Sequence, residues 1–254
     1  MPRGELFQSF WFGGNMSPYQ WLCMTSFLGH DHRFRLYAYD PVSVPKGVEV
    51  RDAKTILPRE RVFFYKQGPG TGSVAGFSNL FRYKLLRDLG GWWVDTDVVC
   101  LSGDLPEGEV ICARQQNGEV GAAVLKLPRG HPLAVELYAE AEREGDDLAW
   151  GQTGPVLLTR LIAGSAYESG ILSGDFCYPI GWDEFDALLD PARCDSLKRR
   201  VAGSKLAHLW NEMWRRANFD YRAPPPPGSF LADLFETTDL GFADALNMIG
   251  VPAE

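Results

Sequence analysis

Apolar positions along the chain fall in short blocks, and the spacing within blocks switches between alternation and a helical period. Residues 9–12 are apolar and aromatic and stop at Gly13-Gly14-Asn15, which predicts a short buried strand running into a loop. Residues 18–28 predict a helix, with Ser17 as N-cap and Pro18 at the first helical position. Residues 35–39 alternate and predict a second strand, closed by Asp40-Pro41, and residues 48–51 predict a third. Leu80, Phe81, Tyr83, Leu85, Leu86 and Leu89 give residues 78–89 a helical pattern, and Gly90-Gly91 supplies its C-cap. Residues 92–101 read as one buried strand, apolar except at Asp95, Thr96 and Asp97. Strands follow at 109–113 and 121–127, then helices at 131–144 and from Gly154-Pro155 to about Ile162. This alternation predicts an α/β fold with a mostly parallel central sheet flanked by helices.

Beyond that point the pattern changes. Residues 223–228 hold four consecutive prolines and read as a stiff spacer. The segment 229–254 carries Phe230, Leu231, Leu234, Phe235, Leu240, Phe242, Leu246 and Ile249. It predicts a helix that docks back on a domain spanning 1–222, or alternatively a contact for a partner or a membrane surface. Residues 193–222 concentrate Arg and Lys, which suits either a phosphorylated ligand or a solvated helix face.

Composition narrows the class. The chain has 254 residues, 45% of them hydrophobic and 23% charged, enough to bury a sizeable core. The formal net charge of −8 disfavours a sequence-independent nucleic-acid binder. No apolar run approaches the roughly 18 residues of a membrane span, and residues 1–10 do not read as a signal segment. The five cysteines, Cys23, Cys100, Cys112, Cys177 and Cys194, lack metal-ligand spacing and are expected to be reduced thiols of a cytoplasmic protein.

Asp95-Thr96-Asp97 is the best chemical candidate. Two carboxylates near the end of an apolar strand are expensive to bury without a cation. In an extended segment both would point to one side and share a divalent ion, for which oxygen ligands suit Mg²⁺ or Mn²⁺. A bare Asp-x-Asp is weak on its own, arising about once by chance in a chain of this length.

The surroundings are more specific. The run Phe77-Ser-Asn-Leu-Phe-Arg-Tyr83, then Leu85-Leu86, then Gly90-Gly-Trp-Trp-Val-Asp-Thr-Asp97 resembles the DXD sugar-binding region of family 32 glycosyltransferases and of the clostridial glucosylating toxins. The resemblance implies a GT-A nucleotide-sugar-binding fold and retaining, metal-assisted sugar transfer from a nucleotide-sugar, by kinship with the toxins a UDP-sugar. It implies Asp97 as direct metal ligand and Asp95 as a contact to ribose, sugar or metal-bound water. Arg82 would hold sugar hydroxyls or phosphate, Ser78 would lie by the nucleoside, and Trp93 would take the aromatic place beside the donor. Asn79 departs from the pattern, which has a sugar-contacting Asp there; an amide still hydrogen-bonds hydroxyls but brings no charge.

Phe10-Trp-Phe-Gly-Gly14 resembles the first-strand motif of the same families, making Trp11 the candidate base platform with Phe12 and Gly13 lining its loop. Ala207-His-Leu-Trp210 resembles their C-terminal motif, with His208 as a third metal ligand and Trp210 as an indole N–H donor to the leaving phosphate. Gln152-Thr-Gly-Pro155 resembles a helix-opening turn near the donor sugar, so Gln152 would face the anomeric carbon or a hydroxyl. Residues 67–74 and 165–182 are candidate acceptor loops, the first a candidate mobile lid. The expected function is transfer of a sugar to a saccharide or glycolipid in surface polysaccharide synthesis, in the cytoplasm or at the inner membrane surface. Alternatives are a protein-glycosylating transferase and a nucleotide-sugar-binding protein without turnover.

Overall fold

The computed structural model describes residues 4–249. A five-stranded sheet in the order β3-β2-β1-β4-β6 forms the centre, built from β1 (Leu6–Trp11), β2 (Arg33–Ala38), β3 (Glu49–Asp52), β4 (Gly91–Val94) and β6 (Val124–Leu127). The pairs β1–β2, β2–β3 and β1–β4 are parallel and β4–β6 is antiparallel, so the mostly parallel sheet expected from the alternating pattern is present. A two-stranded antiparallel ribbon joins β5 (Val98–Cys100) to β7 (Leu206–His208).

Helices cover both faces. The period-two alternation sends Trp92 to one side of the sheet and Trp93 to the other, and both are fully buried. Trp93 packs in a core with α2 (Ala75–Asp88), α3 (Pro132–Glu144) and α4 (Leu157–Ile162). Trp92 packs with Phe7 and Leu36 against Trp21, Met24 and Phe27 of α1 (Pro18–Gly29). The far side of α1 offers Tyr19, Leu22 and Cys23 to a third apolar layer containing Val99, Ala207 and Trp214. Apolar residues all round α1 are what a helix between two layers requires. Its start is the expected one: the Ser17 hydroxyl accepts from the Tyr19 N–H, and the Gln20 side chain accepts from the Ser17 N–H.

The turn from α2 into β4 needs its glycines. Gly90 and Gly91 have φ of +69° and +92°, and a Cβ on Gly90 would run into the backbone of Arg129. The expected single strand over 92–101 is instead two strands in different sheets. β4 ends at Val94, residues 95–97 turn, and β5 begins at Val98. The Asp95 N–H bonds the Ala123 carbonyl on the β6 side, while the Asp97 carbonyl accepts from the Leu209 N–H on the β7 side. The chain thus changes sheets across the two acids. Residues 109–113 form no continuous strand, contributing bridges at Ile111 and Ala113, and only 124–127 of the expected 121–127 strand is regular.

The C-terminal third adds α5 (Cys194–Val201), α6 (Asn211–Arg216), α7 (Phe230–Thr237) and α8 (Phe242–Met248). Phe230, Leu231, Leu234 and Phe235 of α7 are buried with Tyr19 and Leu22 of α1, so α7 docks on the third layer. Residues 250–254 of the apolar segment lie outside the described residues. Among the described residues no helix is long and apolar enough to cross a membrane. The five cysteines are free and buried.

Leu231 is fully buried in that layer. Leu231→Ala is expected to cost about 2–5 kcal/mol of unfolding free energy, read as a lowered midpoint in urea with an unchanged slope.

Candidate functional site

Asp95, Asp97 and His208 meet where the two sheets join. One ligating atom from each lies within 4.8 Å of the others. The two acids come from the turn between β4 and β5, and His208 from the end of β7, which pairs directly with Val98. The convergence predicted from an extended Asp-x-Asp therefore arises on a turn, and ribbon pairing supplies the histidine.

Each carboxylate has its own set of partners. Asp95 Oδ1 accepts from the Arg82 guanidinium and from the Trp93 indole N–H at 2.8 Å. Arg82 is buried, 3% exposed, with its guanidinium 5.0 Å from the centre of the Trp93 ring. Burial pushes the Asp95 carboxyl above its ordinary pKa; Arg82 opposes this, and neighbouring Asp97 adds to it. Asp97 Oδ2 accepts from the Asn211 backbone N–H at 2.7 Å and lies 3.1 Å from His208 Nε2. Burial also penalises the Asp97 carboxylate, but His208 and the Asn211 N–H outweigh it and hold the group below the usual range. The pair is thus differentiated, with Asp97 the more firmly ionised.

Asn211 reaches Asp97 because Trp210 adopts a left-handed conformation, φ +59° and ψ +47°, rare for a bulky residue. This turn at the start of α6 aims the Asn211 N–H at Asp97. Sequence reasoning missed Asn211 because its contribution is a backbone group, which no residue type signals.

The same turn places the Trp210 side chain against the ribbon. Its indole N–H donates to the Ile180 carbonyl at 2.8 Å, and its ring packs 4.1 Å from that of His208. Its N–H is thus committed to the main chain, and its ring braces the histidine. Gln152 also has internal partners. Its side chain accepts from the Ala149 N–H and bonds Glu144 on the exposed surface. The Gln-Thr-Gly-Pro turn itself does reach the site wall, since Thr153 lies 3.4 Å from the Asn79 amide and accepts from the Tyr83 hydroxyl at 2.9 Å.

Asn79 and Arg82 are buried on α2, and Ser78 is half-buried beside them. Trp11 and Phe12 diverge at the end of β1. The Trp11 indole N–H donates to the Gly14 carbonyl at 2.8 Å, whereas Phe12 packs toward Tyr39 and Phe64. Gly13 between them and the loop has φ +122°. The 67–74 loop is held locally: Gly72 N–H bonds the Tyr65 carbonyl, and the Gly70 backbone lies on Trp150.

The basic stretch is largely paired. Arg193 and Arg200 bond Glu184, Lys198 bonds Asp233, Lys205 bonds Asp104, and Arg215 and Arg216 bond Glu212. Of the two readings left open by its charge, the structure favours an ion-paired surface.

The donor set suits a divalent ion. Two carboxylates and an imidazole offer oxygen and nitrogen ligands, and His208 Nδ1 is buried without a hydrogen-bond partner. Arg82 is the one full cation bonded to the two acids among the described contacts, and it serves Asp95.

Comparison with known proteins adds a family. Residues 126–225 match a family model described as the alpha 1,4-glycosyltransferase conserved region. Lactosylceramide 4-alpha-galactosyltransferase from Homo sapiens is 24% identical over 154 residues, covering 56% of this chain and 43% of that protein. The corresponding protein from Pongo pygmaeus is also 24% identical over 154 residues, covering 70% of its length. The chain thus spans less than half the length of the human relative. Among solved structures, a PaToxG glycosyltransferase is similar with a TM-score of 0.49 at 11% identity, covering 98% of this chain and 88% of that one. The glycosyltransferase GlyE of Streptococcus pneumoniae TIGR4 is similar with a TM-score of 0.49 at 14% identity, covering 99% and 66%. The matched region begins after Asp97 and contains His208 and Trp210, so this part of the chain is similar to the alpha 1,4-glycosyltransferase conserved region.

Proposed function

We propose that the chain transfers a sugar from a nucleotide-sugar, a UDP-sugar by the toxin-like motif, to a hydroxyl of a saccharide or glycolipid acceptor, with retention of configuration. The observation that carries this reading is the convergence of Asp95, Asp97 and His208 at the junction of the two sheets. A glycolipid acceptor accords with the names of the relatives, which act on lactosylceramide.

Asp97 and His208, with Asp95, would hold Mn²⁺ or Mg²⁺. Such an ion supplies positive charge that makes a diphosphate a better leaving group. The chain's own residues set up the rest. Arg82 and the Trp93 N–H fix Asp95, and the Asn211 N–H fixes Asp97, so neither carboxylate must reorganise as charge develops. Asn79 and Thr153 present amide and hydroxyl groups suited to sugar hydroxyls. Phe12, just beyond β1, would offer an aromatic surface to the base, with Trp11 on the opposite face of the strand. Ser78, in the first turn of α2, would lie by the nucleoside.

Asp97→Asn is expected to lower Mn²⁺-dependent hydrolysis of the donor by at least about 100-fold, with the fold retained by circular dichroism. Hydrolysis that persists unchanged in this variant would overturn the metal-centred reading. Wild-type protein that binds UDP with Mn²⁺ but hydrolyses no UDP-sugar would instead favour a binding protein without turnover.

Arg82 acts on Asp95 and so affects stability as well. Arg82→Met leaves the half-buried Asp95 carboxylate without its cation and is expected to cost about 1–3 kcal/mol. The double variant Arg82→Met, Asp95→Asn should recover part of that loss in the same urea titration, which a purely steric effect of the methionine would not allow.

A further inference from the structure

A second group of side chains stands at the carboxyl ends of β1 and β2, outside the Asp95–Asp97–His208 cluster. Phe12 meets Tyr39 edge-on with ring centres 6.1 Å apart, and meets Phe64 at 5.6 Å. Phe64 is 43% exposed. The Arg59 guanidinium lies 5.7 Å from the centre of the Phe12 ring and 5.8 Å from that of Tyr39, and it is ion-paired with Asp40. The Tyr39 hydroxyl is committed to the Leu57 carbonyl at 2.8 Å. What this end of the sheet offers to solvent is therefore aromatic surface bordered by one charged pair.

The fold has little need of either feature. Exposed ion pairs contribute about 0–1 kcal/mol, and an exposed phenylalanine leaves much of its burial energy unrealised. Their position is more telling. The parallel register sets Ala38 beside Trp11 and Trp93 beside Gln8. Continued along the strands, it puts Tyr39 beside Phe12 and Asp95 beside Phe10. Asp40 and Asp95 both follow the carboxyl ends of their strands, β2 and β4, which flank β1 in the sheet. Ligands of open α/β sheets bind outside these ends.

We propose that Asp40 and Arg59 read the edge of the donor's nucleobase and select a base with a ring N–H beside a carbonyl, the edge of uracil or guanine. This inference rests on the nucleotide-sugar reading. Stacking on rings gives affinity with little choice among bases, because every base has a π face. Choice comes from polar groups held in register with the base edge. The hydrogen bond from Arg59 keeps the Asp40 carboxyl below its usual range, so at neutral pH it is an acceptor only. Arg59 is a donor only. Asp40 accepts the ring N–H, the most acidic donor of these bases, while Arg59 donates to the adjacent carbonyl. Cytosine and adenine carry an unprotonated ring nitrogen at that position, which would face a carboxylate with no proton between them. A site built to bond one pattern rejects the reversed one because its own groups are left unpaired.

The test is calorimetric titration of UDP, GDP, CDP and ADP, each with Mn²⁺, into the wild-type chain and into Asp40→Asn and Arg59→Gln. The wild type is expected to bind UDP or GDP about tenfold or more tighter than CDP and ADP. Each variant should reduce that ratio to about threefold or less with the unfolding midpoint unchanged, Asp40→Asn both by weakening UDP and GDP and by strengthening CDP. Variants that keep the wild-type ratio, or a wild type that favours CDP or ADP or treats all four alike, would overturn the assignment of Asp40 and Arg59. Failure of the wild type to bind any of the four would overturn the nucleotide-sugar reading beneath it.

Discussion

The site depends on keeping two carboxylates close together in a poorly solvated place. Like charges this near would push one another toward protonation, and water is too scarce to screen them. The chain answers by giving each acid separate donors from separate elements. Asp95 is bound by Arg82 from α2 and by Trp93 from its own strand. Asp97 is bound by the Asn211 N–H and lies beside His208, both from the segment around β7 and α6. The two sets of donors come from opposite sides of the sheet junction, so the acids cannot trade partners. A cation between them would complete the compensation that the protein's own groups leave partial.

That arrangement explains why the chain leaves one sheet for another in the middle of an apolar run. A straight strand from Trp92 to Leu101 would keep both acids against β6 and leave β7 without a partner. Turning at residues 95–97 puts His208 opposite Val98 in the ribbon. The left-handed Trp210 then reverses the chain within two residues and delivers the Asn211 N–H. The backbone strain at Trp210 is offset by its indole bond to Ile180 and by its contact with His208.

Much of this was legible before any coordinates, for reasons that differ by element. The helix at Pro18–Gly29 announces itself through Ser17 and Pro18, because capping is local chemistry. Gly90-Gly91 marks its turn because only glycine tolerates those angles beside Arg129. The break at 95–97 was not legible, since Val94 and Val98 are β-branched on both sides and neither glycine nor proline intervenes. It is set by which strands the flanking residues pair with, a tertiary choice. The motif residues were brought together as expected at Asp95, Asp97 and His208, where the ligating atom is a side chain. Trp210 and Gln152 have internal partners that sequence spacing does not reveal, a carbonyl for the indole N–H and a backbone N–H for the amide oxygen.

Asn79 belongs to the same electrostatic logic. It lies three residues before Arg82 on α2, so the two side chains share a face, and both are buried. An aspartate at position 79 would add a third carboxylate near a single guanidinium and compete with Asp95 for it. The amide keeps hydrogen-bonding capacity toward a ligand while leaving Arg82 to Asp95, and it finds a neutral partner in Thr153. A neutral residue at this position therefore lowers the charge that the site must compensate from its own groups. By this argument, Asn79 makes the pairing of Arg82 with Asp95 more exclusive, and so ties the geometry of the acid turn more firmly to α2.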